Sequence, residues 1–121
     1  MDARMITPEI AQMLSQLKWI KYIRMSCDTD NMLVIVQDAI RQLGKVGVKP
    51  YRIFVYLLVQ DIESAERRAL ALRDMGAEVF AQPYRDFTTS KEPPHELKRF
   101  ARWVNRKAIF KTTKFFRDYK Q

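Results

Sequence analysis

The chain has few of the residues that build metal and redox sites. Its 121 residues include one cysteine, Cys27, and one histidine, His95. A single cysteine excludes an internal disulfide, and it excludes any zinc site or iron–sulfur cluster that needs three or four thiolates from this chain. The three glycines form no glycine-rich run, so no phosphate-binding loop of that kind is present.

Long apolar runs are also missing. No stretch approaches the roughly 18 to 20 apolar residues that span a bilayer, and the first residues carry no apolar signal region. Apolar residues make up 47% of the chain and charged residues 30%, which are ordinary values for a globular domain. We therefore expect one soluble, cytoplasmic domain over residues 1–121, with no membrane partner.

The net charge of +8 is concentrated at the C-terminal end. Residues 1–96 contain 13 Lys and Arg and 13 Asp and Glu, whereas residues 97–121 contain 9 basic residues and only Asp118. This distribution predicts a basic C-terminal helix and tail over residues 97–121 that can attract phosphates.

Apolar periodicity predicts an α/β fold with the element order αβαβαβα. The predicted strands cover residues 19–25, 51–59 and 78–81, and helices follow Thr7 and cover about 30–43, 62–75 and 97–108. The second strand is apolar almost without alternation, which suits a parallel strand covered on both faces. Gly44 and Gly76 are predicted to end the second and third helices. Three parallel strands joined by crossover helices resemble a slice of a larger α/β fold.

Polar residues directly follow each predicted strand, where parallel α/β sheets bind their ligands. Helix capping explains some of them, with Thr29 or Asp30 capping the second helix and Asp61 the third. Capping explains a second set less readily. These candidates for a binding role are Ser26, Asp28 and Arg85.

Two further interpretations remain open. A hydrolase with Cys27 as the nucleophile would require His95 as its base, and one with Ser26 has no convincing base. A structural thiol at Cys27 and a first-turn helix residue at His95 are the simpler interpretations, because no metal-site spacing surrounds either residue.

The basic segment from residue 98 to residue 111 interleaves cations with aromatic rings. Such a segment suits nucleic acid, with Arg102, Arg106 and Lys107 contacting phosphates and the rings stacking on bases. It also suits an amphipathic helix whose rings pack inward, which the apolar stripe containing Phe100 and Val104 favours. A small nucleic-acid-binding module is thus the alternative function.

Several segments together resemble the C-terminal half of a radical S-adenosylmethionine protein, over about residues 7–119. They are KYIRMSCD at 21–28, GVKPYRIFVY at 47–56, AQPYRD at 81–86 and RWVNRK at 102–107. The resemblance implies half of a partial TIM-type (β/α)6 barrel, in which these strands are the fourth, fifth and sixth.

The resemblance also implies roles for individual residues. Ser26 and Asp28 occupy the positions that hydrogen-bond the ribose of S-adenosylmethionine. Gln82 and Pro83 would pass beside the adenine, and Arg85 would face a carboxylate or the substrate.

The family's fifth strand often carries a Gly-x-Ile-x-Gly-x-x-Glu pattern. Tyr56, Leu58, Gln60 and Glu63 fill the specified positions here. Only the apolar residue and the glutamate agree, and Gln60 replaces the glycine next to the adenine. Glu63 is therefore placed at the cofactor site by position and residue type, and Gln60 by position alone.

The family's Cys-x-x-x-Cys-x-x-Cys loop, which holds a [4Fe–4S] cluster, does not occur in this sequence. We expect no cofactor in this chain alone, because the cluster ligands are absent, and no radical chemistry without another chain segment. A half-barrel exposes strand edges, so we expect either a homo-oligomer or a complementing N-terminal half as partner.

Overall fold

A computed structural model describes residues 2–16, 22–85, 88 and 91–120. Its elements, in chain order, are α1 Pro8–Ser15, β1 Ile23–Ser26, α2 Asp30–Lys45, β2 Ile53–Val59, α3 Ile62–Asp74, β3 Glu78–Pro83, α4 His95–Asn105 and α5 Lys107–Thr112. Short 3-10 turns lie at Ala3–Met5, Pro50–Arg52 and Phe116–Asp118. The predicted alternation of helices and strands is confirmed, with one additional helix at the C-terminal end.

The strands form one parallel sheet in the order β1, β2, β3. Ile23 lies opposite Ile53, and Val55 lies opposite Val79. The predicted parallel α/β sheet is confirmed. The first part of the predicted first strand, residues 19–21, lies outside the described residues.

Side-chain caps begin the first three helices as the sequence predicts. Thr7, Thr29 and Asp61 each accept a hydrogen bond from the backbone N–H three residues later, at 3.2, 3.3 and 3.4 Å. Thr29, and not Asp30, therefore caps α2, which leaves the Asp30 carboxylate available for contacts with α3.

The end of α2 differs from the prediction by a few residues. Gly44 is inside the helix, which continues to Lys45. Gly47 instead takes the left-handed conformation at φ 91°, and the Val48 N–H donates to the Leu43 carbonyl at 3.0 Å. This is a Schellman ending, in which glycine is favoured at the left-handed position just beyond the helix.

The helices cover only one face of the sheet. Along β2, the side chains of Ile53, Val55, Leu57 and Val59 are buried, whereas those between them are at least partly exposed, up to 37% at Tyr56. The prediction that β2 is covered on both faces is therefore wrong. The second face, called the open face below, carries Tyr22, Arg24, Ser26, Phe54, Tyr56, Leu58, Glu78, Phe80 and Gln82.

The rings of the open face make β2 apolar on both sides without a second layer of helices. Phe54 lies 6.2 Å from Tyr22, 5.1 Å from Tyr56 and 6.3 Å from Phe80, measured between ring centroids. Cross-strand aromatic pairs shield one another in this way. The uninterrupted apolar pattern of β2 therefore arises from neighbouring rings on the sheet.

The C-terminal segment is two helices and not the single one predicted over residues 97–108. The helical backbone is interrupted at Arg106, at φ −91° and ψ 90°, and α5 begins at the next residue. The Trp103 ring packs edge-on against Phe100 at 5.6 Å and Phe110 at 5.0 Å. All three rings are buried, which confirms that the rings of this basic segment pack inward.

Among the described residues, no helix has both the length and the apolar character needed to cross a lipid bilayer.

Candidate functional site

Asp28 and Arg68 hold together the carboxyl ends of β1 and β2. Asp28 Oδ1 accepts a hydrogen bond from the Leu58 N–H at 3.1 Å. This bond extends the hydrogen bonding between β1 and β2 beyond their last paired residues, Ser26 and Tyr56. The Arg68 guanidinium donates to the carbonyl oxygens of Cys27 and Leu58. Backbone groups at this edge are thereby satisfied by side chains where the two strands diverge.

Sequence reasoning missed Arg68, which is only 2% exposed. A signal was present, because Arg68 lies three residues after Ala65 and next to Ala69 on the inward stripe of α3. Its Nε atom makes no hydrogen bond and lies 3.6 Å from Asp30 Oδ1. A guanidinium this deeply buried is retained where it satisfies backbone carbonyls and faces a carboxylate.

Asp30 connects the start of α2 to α3. It accepts hydrogen bonds from Arg67 Nη2 at 2.8 Å and from Ser64 Oγ at 2.7 Å. These two bonds, the one from Arg67 first, hold the pKa of the Asp30 carboxyl below its ordinary value. The rim of the sheet is therefore fixed by a network that joins β1, β2, α2 and α3.

Ser26 and Gln82 lie on the open face near the carboxyl edge, on either side of β2. Ser26 is opposite Tyr56, Gln82 is opposite Leu58, and both Ser26 and Gln82 are exposed. Two strand spacings of about 4.8 Å separate them laterally, so they are about 10 Å apart across the sheet. A ligand of nucleoside size that lies across β2 would reach both side chains.

A cavity of about 460 Å³ opens at the same edge, beyond β2 and β3. Its lining is mostly apolar and consists of Gln60, Tyr84, Lys91, Glu92, Pro93, Pro94 and Leu97. Pro83, half-buried, ends β3 beside this cavity. Glu63 is exposed in the first turn of α3 and does not line the cavity.

Arg85 takes part in an ion-pair cluster beside the cavity. Its Nη2 lies 3.3 Å from Glu92 Oε1, and Lys98 Nζ lies 3.1 Å from Glu92 Oε2. The hydrogen bond from Lys98 and the charge of Arg85 hold the pKa of the Glu92 carboxyl below its ordinary value. A ligand carboxylate bound by Arg85 would therefore compete with Glu92.

Cys27 is a buried structural thiol. Its Sγ donates to the Thr29 carbonyl at 3.9 Å, and burial raises the pKa of the thiol to about 11. A thiol that stays protonated is a poor nucleophile and a poor metal ligand, so the residues present do not fit an iron–sulfur cluster. His95 is the exposed first residue of α4, as predicted. Within the described ranges, no three His, Cys, Asp or Glu side chains are arranged to hold a metal ion.

The basic residues predicted for nucleic acid are exposed, but their aromatic neighbours are not. Arg102, Arg106 and Lys107 all face solvent, and Lys107 Nζ pairs with Glu78 at 2.9 Å. Phe100 and Trp103 are fully buried. The segment therefore offers cations without rings on which bases could stack.

No protein-family description, curated protein or solved structure matches this chain.

Proposed function

We propose that this chain is the C-terminal portion of a radical S-adenosylmethionine domain and contributes the fourth, fifth and sixth strands of a partial (β/α)6 barrel. The one-sided parallel sheet is the observation that supports the proposal most directly. In a β/α barrel the helices lie outside, and the other face of each strand points into the interior. The open face, with its partly exposed rings and its polar side chains, would point into that interior.

The two outer edges of the sheet differ in a way that suits this placement. Asn105 covers the edge of β3, because its side chain accepts from the Ala81 N–H at 2.8 Å and donates to the Ala81 carbonyl at 3.0 Å. A sixth strand that ends an open barrel would require such a cover.

Within the described part of the chain, no side chain forms hydrogen bonds of this kind with the edge of β1. The Cys27 N–H donates to the Tyr56 carbonyl, so the alternation of the ladder turns the backbone groups of Arg24 and Ser26 away from β2. These groups could pair with an additional strand, the third of the proposed barrel, supplied by a complementing N-terminal half. The proposal therefore places the missing half of the barrel beside β1.

The rim residues would then contact the nucleoside part of S-adenosylmethionine. Ser26 supplies a hydroxyl for the ribose, and Asp28 retains a second carboxylate oxygen because only Oδ1 is used by Leu58. Gln82 and Pro83 lie on the far side of β2, where the adenine would rest. In the family, the [4Fe–4S] cluster supplies the electron that starts the chemistry, and the cysteine ligands of that cluster would lie outside this chain. We therefore assign binding roles and no catalytic residue.

The test is a titration of the 15N-labelled chain with S-adenosylhomocysteine, followed by NMR. We expect weak, millimolar binding that shifts the amide signals of Ser26, Gln60 and Gln82. 5′-Methylthioadenosine should shift the same signals, because the proposed contacts are to the ribose and adenine. Guanosine serves as a purine control and should shift them less.

Two glutamine variants provide matched controls for this titration. Gln82→Ala should weaken S-adenosylhomocysteine binding several-fold, whereas Gln12→Ala, which removes an exposed amide from α1, should leave binding unchanged. Shifts confined to residues remote from the carboxyl edge would contradict the proposal, as would no shifts at millimolar ligand.

The alternative of a nucleic-acid-binding module makes a different prediction. Because the rings beside Arg102, Arg106 and Lys107 are buried, we expect no gel shift of single-stranded RNA at low salt that depends on these residues. A shift that falls steeply with salt and disappears when all three are changed to Ala would favour the alternative.

A further inference from the structure

A cavity lies at the amino end of the sheet, opposite the proposed S-adenosylmethionine site. Its volume is about 510 Å³, within the ~300–1,000 Å³ range of small-molecule sites. It opens between the end of α3, the start of β3 and helix α5. Its lining includes Tyr51, Arg73, Glu78, Lys107, Lys111 and Lys114. We call it the basic cavity.

Positive charge exceeds negative charge in the lining of the basic cavity. Four cationic side chains line it, against the two carboxylates of Asp74 and Glu78. Glu78 is only 13% exposed and lies between Lys107, at 2.9 Å, and Lys111, at 3.3 Å. Burial opposes ionisation of Glu78, but the two lysines outweigh it and hold the pKa of this carboxyl below its ordinary value. Glu78 is thus ionised at neutral pH and competes with any bound anion for both ammonium groups.

The Arg73 guanidinium is hydrogen-bonded to backbone carbonyls, so the lysines are the cations that would bind a ligand. Its Nη1 donates to the carbonyls of Phe110 and Thr113, at 2.8 Å each, and its Nη2 to that of Lys114 at 3.1 Å. These bonds close the C-terminal end of α5 and fix the chain that carries Lys114. Lysine ammonium groups retain donors beyond one ion pair, and they bind phosphate as point charges.

The rest of the lining suits the ring of a ligand. Val79, Val104 and Phe110 supply buried apolar side chains, and Tyr51 stands at the rim with 62% of its surface exposed. An exposed aromatic ring such as that of Tyr51 can stack on a planar ring system. The lining of the cavity therefore combines cationic side chains with an exposed aromatic ring.

We propose that the basic cavity binds a phosphate-bearing small molecule with a planar ring, of the nucleoside monophosphate class. Its phosphate would lie among Lys107, Lys111 and Lys114, with its ring against Tyr51. A phosphomonoester carries a charge of about −1.5 to −2 at pH 7, which matches the excess positive charge of the lining. This site is separate from the S-adenosylmethionine rim and does not depend on that proposal.

The test uses uridine 5′-monophosphate, because a pyrimidine nucleotide does not resemble adenosine at the other end of the sheet. In NMR titrations we expect it to shift the amide signals of Ala77, Glu78, Lys111 and Lys114. Inorganic phosphate should bind more weakly at the same residues, and uridine should bind hardly at all. Equal binding of inorganic phosphate and the nucleotide would overturn the assignment of the ring to Tyr51.

Charge variants should change the affinity in opposite directions. Lys107→Ala combined with Lys111→Ala should weaken nucleotide binding at least about tenfold, because two charge-assisted bonds are lost. Glu78→Gln should strengthen binding, because it removes a competing carboxylate and releases both lysines. Lys45→Ala, which removes an exposed charge at the end of α2, is the matched control and should have no effect.

The two outcomes that would overturn the site are distinct from those of the cofactor titration. No shift with millimolar uridine 5′-monophosphate at low salt would overturn it, whatever S-adenosylhomocysteine does at the carboxyl edge. A loss of about threefold in the Lys45→Ala variant, half of the paired effect on a logarithmic scale, would also overturn it, because binding would then depend on net charge alone. If the paired lysine variant fails to fold, the sign of the Glu78→Gln effect still decides.

Discussion

At the scale of single residues, Arg68 is the side chain on which the carboxyl edge depends most. Replacing it by Met leaves the carbonyls of Cys27 and Leu58 without their donor in a buried place. We expect Arg68→Met to lower the free energy of unfolding by about 2–3 kcal/mol, measured by urea denaturation. Arg67→Met is the matched control, because Arg67 also bonds to Asp30 but is exposed, and it should cost at most about 0.5 kcal/mol. Equal losses in the two variants would contradict this role.

Cys27 provides a pH-dependent prediction. Burial raises the pKa of its thiol to about 11, so the folded state keeps a proton that the unfolded state releases at lower pH. The resulting stability is present below about pH 9 and is lost as the pH rises through about 11. We expect the difference in unfolding free energy between the natural chain and Cys27→Ala to shrink over that interval, by roughly 2 kcal/mol. A constant difference from pH 8 to pH 11 would contradict it.

At the scale of elements, Asn105 lets α4 protect the edge of β3. Asn105→Ala removes both of its bonds to Ala81, so we expect unfolding to require about 1–2 kcal/mol less free energy. The variant should also aggregate faster, because the strand edge is uncovered. Asn31→Ala, at an exposed position in the first turn of α2, should stay within about 0.5 kcal/mol of the natural chain. Unchanged stability in Asn105→Ala would show that α4 covers the edge without this side chain.

The elements also show how far the sequence alone could lead. Caps and apolar stripes are local signals, so Thr7 and Asp61 could be identified from the sequence as helix starts. Both Gly44 and Gly47 could have ended α2, and Gly47 does so because the left-handed turn lies there. The break at Arg106 lets α5 pack its Phe110 ring against Trp103 of α4. The two carbonyls that Arg68 contacts lie 10 and 41 residues away in sequence, and the residue that Asn105 contacts lies 24 residues away. The inward stripe of α3 indicates that Arg68 is buried, but a local pattern does not identify bonding partners this far along the chain.

At the scale of the whole molecule, the apolar pattern of β2 correctly predicted a parallel sheet. It incorrectly predicted that helices cover both faces of that sheet. A strand shielded by cross-strand rings and a strand buried between two helical layers have the same composition. The distinction decides the function proposed here, because only the one-sided arrangement leaves a face for a barrel interior. The asymmetry between the covered edge of β3 and the edge of β1 then indicates the side on which the sheet would be extended.

That asymmetry predicts how the isolated chain behaves in solution. We expect two copies to pair through β1 at tens of micromolar, because the outward backbone groups of Arg24 and Ser26 form an open template for strand pairing. Light scattering should show a dimer, and hydrogen exchange at these two amides should speed up on dilution. Arg24→Pro removes an outward donor and no bond to β2, so it should give a monomer, whereas Arg24→Ala keeps the backbone donor and should remain a dimer. A natural chain that is monomeric throughout this range, with both amides exchanging freely, would contradict pairing at β1 and would also weaken the case that this edge receives a complementing half-barrel.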